Sequence, residues 1–132
     1  REINGDLFKW PIRGWITSWY GWRNDPFSGM RSFHTGIDIG AAHGAPVRAA
    51  MEGRVSTTGY NAVSGNYVII AHHSGYASMY AHLDRIDVRK GQAVSIGTRI
   101  GAVGTTGYST GSHLHFTVLK NGRTINPMLV LN

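Results

Sequence analysis

The sequence predicts an all-β domain. From Trp10 onward, short apolar runs alternate with glycine, and no stretch keeps a helical period long enough for a long helix. Glycine is abundant (18 residues) and proline scarce (4), which suits tight turns between short strands. Residues 47–50 and 53–57 read as short strands around Met51-Glu52. Residues 66–72, N-Y-V-I-I-A-H, are β-branched and aromatic, so they form the firmest strand, with a turn at Gly75 and a hairpin partner over 77–82. Residues 84–88 read as a short helical turn. Residues 93–95 and 99–103 read as short strands. A further strand over 113–119 ends at Asn121-Gly122, a strong hairpin signal.

The length of 132 residues fits one domain with one core. No internal repeat or low-complexity segment divides it. Residues 1–9 are expected to be a linker remnant or N-terminal extension, and 10–132 the folded domain. The chain starts at Arg1 rather than methionine, which suggests a processed form or a monomeric domain cut from a larger protein. No run approaches the ~20 apolar residues of a membrane span. With no cysteine, disulfides and thiolate metal sites are excluded, so any metal must sit on histidine and carboxylate. The net charge of +6 suits solubility or attraction to a polyanion, but the cations are scattered. There is no Lys/Arg run of the kind that marks a nucleic-acid tail.

Two histidine clusters carry the chemistry. One is His34-Thr35-Gly36-Ile37-Asp38 and the other His113-Leu114-His115, with Tyr80-Ala81-His82-Leu83 between them. Residues two apart share a strand face, so His113 and His115 project together while Leu114 and Phe116 pack behind. The same rule puts His34, Gly36 and Asp38 on one face. A helix would also align His34 with Asp38, but Gly36 and the β-branched neighbours disfavour it. Two imidazoles and a carboxylate form a donor set suited to catalytic zinc, which takes three protein ligands and keeps one position open.

These stretches, in this order, resemble the lysostaphin-type (LytM-like) zinc metallopeptidases that act as cell-wall endopeptidases. The resemblance runs through F-H-T-G-I-D-I, G-A-P-V-R-A-A-M-E-G-R-V, G-N-Y-V-I-I-A-H, M-Y-A-H-L, G-T-R-I-G-A-V-G-T-T-G-Y-S-T-G-S-H-L-H-F and N-P-M-L-V-L. It implies one zinc ion per chain held by His34, Asp38 and His115, with His82 and His113 as the two further active-site histidines. It implies an antiparallel sheet carrying a groove, and hydrolysis of peptidoglycan stem or bridge peptides outside the cytoplasm, either secreted or on a phage particle. Anionic wall polymers would suit the positive charge. The alternative is a catalytically silent relative that binds peptidoglycan or regulates a hydrolase, although all five expected positions are filled. Many relatives have proline where this chain has Ser112 and glutamate where it has Thr117, so a contact beside His115 is expected to differ.

The remaining candidates read as structural. His72 is expected to support a strand, and His43 and His73 to lie on surface loops. Glu52, Asp84 and Asp87 are expected to be solvated or in turns. Asn126-Pro127 should end the last hairpin and pack Leu129 and Leu131. Tyr20, Trp22, Tyr60, Tyr80 and Tyr108 are candidates to line the groove, with Tyr80 foremost because strand alternation puts it on the face of His82.

Overall fold

The computed structural model describes residues 8–24, 28–107 and 111–131. It is nearly all β, as the spacing of apolar runs and glycines predicts, and the strands of its sheets pair antiparallel, as the resemblance implies. The strands are β1 (Trp15–Ser18), β2 (Gly21–Asn24), β3 (Arg31–His34), β4 (Ile37–Gly40), β5 (Pro46–Arg48), β6 (Gly53–Asn61), β7 (Gly65–Ala71), β8 (Tyr76–Ile86), β9 (Ala93–Val94), β10 (Arg99–Val103), β11 (His113–Lys120) and β12 (Arg123–Ile125). The main sheet runs β1-β4-β11-β8-β7-β6-β9, with β12 beside β11 and β10 bridging β8 to β5. Strands β2 and β3 form a separate two-stranded ribbon.

One face of the sheet is the core. Ile37 and Ile39 of β4, Leu114, Phe116 and Val118 of β11, and Val68 and Ile70 of β7 are all fully or almost fully buried there. Each such side chain contributes about 1.5–3 kcal/mol of burial. Strand alternation then turns Asp38, His113, His115 and Thr117 to the opposite face, where the groove lies.

Several sequence expectations change. Residues 84–88 do not form a helical turn. Arg85 and Ile86 continue β8 and pair with Ala102 and Gly101 of β10, so ladder bonding overrides the local tendency. His34 and Asp38 do not share one strand, because Thr35-Gly36 separates β3 from β4. A Cβ on Gly36 would collide with the Phe116 carbonyl and meet Thr117 Oγ1 at 2.8 Å, so the glycine lets this turn lie against β11. Leu131 is buried, whereas Leu129 is 60% exposed at the end of the 3₁₀ turn Pro127–Leu129, whose first N–H groups are capped by Asn126. Phe8 and Lys9, inside the expected extension, are tied to the domain by Phe8 N–H to Val130 O and Lys9 N–H to Ala50 O.

The largest correction is Tyr80. It is fully buried, packs on Phe116, donates to no groove atom, and accepts from Ala50 N–H and Ser78 Oγ. Burial, opposed by those hydrogen bonds, pushes its phenol up to about 12. His72 closes the same chain: one ring nitrogen lies 2.8 Å from Ser78 Oγ and the other 2.7 Å from Glu52 O, a structural role as expected. Tyr80→Phe strips the acceptor from two buried donors. The expected cost is about 1–3 kcal/mol in urea unfolding with zinc binding unchanged. Unchanged stability would mean the phenol is not a core acceptor.

Candidate active site

The groove is a cavity of about 900 Å³ over the sheet. It contains all five histidine and aspartate positions singled out in the sequence. The register of β4 on β11 sets Asp38 directly opposite His115. β3 delivers His34 from the ribbon, where Gly21 is its partner. His34 Nε2, Asp38 Oδ1 and His115 Nδ1 converge in a triangle with sides of 3.0, 3.1 and 3.3 Å. Tetrahedral ligands at 2.0–2.1 Å from zinc stand about 3.3 Å apart, so the triangle fits that ion.

The surrounding hydrogen bonds explain why those atoms face inward. His34 Nδ1 lies 3.0 Å from the Trp19 carbonyl, which can only accept, so the proton sits on Nδ1 and Nε2 keeps its lone pair. Thr117 Oγ1 lies 2.9 Å from His115 Nε2; when that hydroxyl accepts from Nε2–H, the lone pair is left on Nδ1. With protons on them, His115 Nδ1 and His34 Nε2 can donate to Asp38 Oδ1; without those protons, the same three atoms face a common point that a cation can fill. Among the described residues, this is the one group of three His, Asp or Glu side chains placed to hold a metal.

Burial raises the pKa of Asp38, but hydrogen bonds and charge from His115 and His34 outweigh it and hold the carboxyl well below the usual range. Burial pushes His115 below the ordinary imidazole value against the pull of Asp38. Both groups are therefore in the deprotonated form that metal binding needs.

His82 reaches the groove by a route alternation cannot foresee. Ala81 pairs with His115 and Tyr80 with Phe116, yet three steps along β8 (Tyr80 to Leu83) match only two along β7 (Val68 to Asn66). The extra residue is a β-bulge, and His82 occupies it at φ 65°. Its N–H donates to Ser64 O, its carbonyl accepts from Gly104 N–H, and its Nδ1 lies 2.8 Å from the Thr106 carbonyl. Gly65, at φ +66°, has no room for a Cβ against Thr106, which explains the glycine of G-N-Y. So Tyr80 faces the core while Ala81 and His82 both line the groove.

His113 Nδ1 lies 2.9 Å from the Gly111 carbonyl, so Nε2 is directed elsewhere; it stands 3.7 Å from Asp38 Oδ1. The His82 and His113 rings are 4.8 Å apart. Phe33, Val63, Ile69 and Met79 supply the apolar wall. Tyr20 instead packs on Phe33 and bonds Thr124, the exposed Trp22 meets Phe33 edge to face, Tyr60 is exposed, and Tyr108 lies outside the described residues. His43 and His73 are on the surface, as expected. Sequence reasoning missed Arg23. Its Nη1 donates to Ser18 Oγ at 2.6 Å and stands 3.4 Å from Asp38 Oδ2. No spacing in the sequence ties Arg23 to Asp38, because the link exists only once the ribbon folds over β4.

An all-β domain presenting a His/Asp/His donor set beside two further imidazoles is the architecture of a zinc metallopeptidase. The model of peptidase family M23 matches residues 32–127, and the chain belongs to that family. It is 42% identical over 115 residues to the DD-carboxypeptidase/endopeptidase Mpg of Neisseria meningitidis serogroup B, a match covering 87% of this chain and 26% of that protein. It is also 42% identical over 106 residues to the peptidoglycan DD-endopeptidase ShyB of Vibrio cholerae, covering 80% of this chain and 25% of the relative. The chain thus spans about a quarter of these relatives' length. A zinc-containing peptidase from Vibrio cholerae superposes with TM-score 0.84 at 38% identity, over 94% of this chain and 40% of that one. The catalytic domain of lysostaphin from Staphylococcus simulans superposes with TM-score 0.78 at 30% identity, over 89% and 90%. The cofactor of the family is zinc, and the donor triangle fits it.

Thr117→Val removes the acceptor that orients His115. Zinc affinity, measured by competition with a chromophoric chelator, should fall about 10- to 100-fold, while Thr117→Ser stays near wild type. Equal affinity in all three proteins would show that the hydroxyl does not orient the ring.

Proposed function

We propose that this domain hydrolyses peptide cross-links of bacterial peptidoglycan, and that the bond cut is a D-alanyl one rather than one in a glycine bridge. The observation that carries the activity is the meeting, in one open groove, of the zinc-suited triangle and two imidazoles whose Nδ1 atoms are engaged by backbone carbonyls. The two DD-peptidase relatives at 42% identity support the D-alanyl choice over the glycine-bridge alternative. Action on this polymer implies a place outside the cytoplasm. Among the described residues, no helix is long and apolar enough to cross a membrane.

In this reading His34, Asp38 and His115 hold the metal. Zinc, when bound, supplies a Lewis acid that polarises a carbonyl and acidifies water. His113 accepts the proton of the attacking water at Nε2, since it is the imidazole nearer the donor triangle. His82, ring against ring with His113, helps to carry that proton to the departing amine or to steady the charge on the carbonyl oxygen.

His34→Ala or Asp38→Ala should lose zinc and activity together. His82→Ala or His113→Ala should keep one zinc per chain while turnover of purified peptidoglycan falls about 10²- to 10⁴-fold. Chelator should abolish release of new ends by the wild type. Full turnover by His113→Ala with zinc bound would remove it as the base.

Burial pushes His82 below the ordinary value of 6.5; the Thr106 carbonyl opposes this and the neighbouring imidazoles reinforce it. A lowered value leaves the ring more than half neutral at pH 6.5. In this reading the part of the acid limb of kcat/KM that belongs to His82 has its midpoint below pH 6.5. An acid-limb inflection above 6.5 that disappears in His82→Ala would contradict a neutral His82.

A further inference from the structure

We infer that Arg23 is a specificity-determining residue: its guanidinium receives a free carboxylate carried by the residue on the amine side of the scissile bond. The inference rests on the peptidase reading above and deepens it. Arg23 sits on β2, in the ribbon that also delivers His34, and its side chain is 30% exposed at the edge of the cavity. Among the described cavity-lining residues it is the only lysine or arginine, and Asp38 is the only acid.

The guanidinium is poorly used by the protein. A committed Arg–carboxylate pair is bidentate, with N···O distances of about 2.7–2.9 Å. Here a single nitrogen, Nη1, stands 3.4 Å from Asp38 Oδ2, and the same nitrogen already donates to Ser18 Oγ. Nε is enclosed with no acceptor. Nη2 has no hydrogen-bond partner among the described residues and, unlike Nε, is not enclosed. Ser18 holds the group in place while, among the described residues, Nη2 keeps its donors unused.

The position suits one substrate feature. From a scissile carbonyl carbon to a carboxylate carbon on the next α-carbon is three bonds, under about 4 Å through space. A peptide bound with its carbonyl at the donor triangle therefore keeps such a carboxylate within about 4 Å of that carbonyl carbon, and on the Asp38 side of the triangle the group that would meet it is Arg23, 3.4 Å from Asp38 Oδ2. A carboxypeptidase substrate has this carboxylate by definition. So does a cross-link whose amine-side residue keeps its α-carboxyl free. An unbranched glycine bridge has none at that place and gives Arg23 nothing to bind.

The test uses two cross-linked muropeptide dimers that differ only in that carboxyl, free in one and a primary amide in the other. Wild type should cleave the free acid about 10- to 100-fold more efficiently in kcat/KM, the range expected for a hydrogen bond to a charged group. Arg23→Gln should lose that advantage by slowing only on the acid, with one zinc still bound per chain, and Arg23→Lys should keep part of it. Equal wild-type efficiency on both dimers would overturn the inference while leaving the peptidase reading intact. So would an Arg23→Gln loss of equal size on both, which would mark Arg23 as a residue that acts through Asp38. Absence of chelator-sensitive cleavage of either dimer would overturn the peptidase reading, and this inference with it.

Discussion

The register of β4 on β11 is the constraint on which the site depends. It pairs Asp38 with His115 and Phe116 with Ile37, so core packing and donor placement are set by the same four residue pairs. A slip of one residue would send Asp38 into the core and Ile37 or Ile39 into the groove. Burial of Ile37, Ile39, Leu114 and Phe116 opposes that slip with several kcal/mol per side chain pair. The apolar face thus fixes the geometry of the polar one. What it fixes is a buried carboxylate against two imidazole nitrogens, which donate to it when protonated and stand beside it as further donors to a metal when not.

The rest of the site is assembled onto this pair by devices that break regularity. Gly36 lets the chain turn against β11, so that β3 can leave the sheet and bring His34 from the ribbon. The bulge in β8 adds one residue at the point where that strand exchanges β11 for β10, and the added residue is His82. A positive φ on a non-glycine residue is uncommon and costs free energy. Three backbone and ring hydrogen bonds, to Ser64, Gly104 and Thr106, hold it there. The strained position coincides with a catalytic candidate, whereas the regular positions beside it carry the core.

This division explains what could be read from the sequence. The strand over 66–72 and the alternation through 113–119 were legible because they obey a period of two and bury one face. His113 and His115 followed from the same rule, and the ordered family motifs supplied the choice of His34, Asp38 and His115 as the donor set. Tyr80 was misplaced for a physical reason: alternation assumes an unbroken strand, and a bulge two residues away reverses the parity. Residues 84–88 looked helical because nothing local announces pairing with β10. Arg23 was invisible because its partners, Ser18 and Asp38, meet only through the fold. Thr117 was flagged as a departure from relatives, and its hydroxyl does contact His115.

The central claim is that three particular atoms share one zinc ion. Zinc-edge anomalous diffraction from crystals of the domain tests it most directly. The account expects one peak per chain, about 2.0–2.1 Å from His34 Nε2 and His115 Nδ1 and about 2.0–2.2 Å from Asp38 Oδ1. A peak bound by His82 and His113 instead, or none after soaking in zinc, would contradict it.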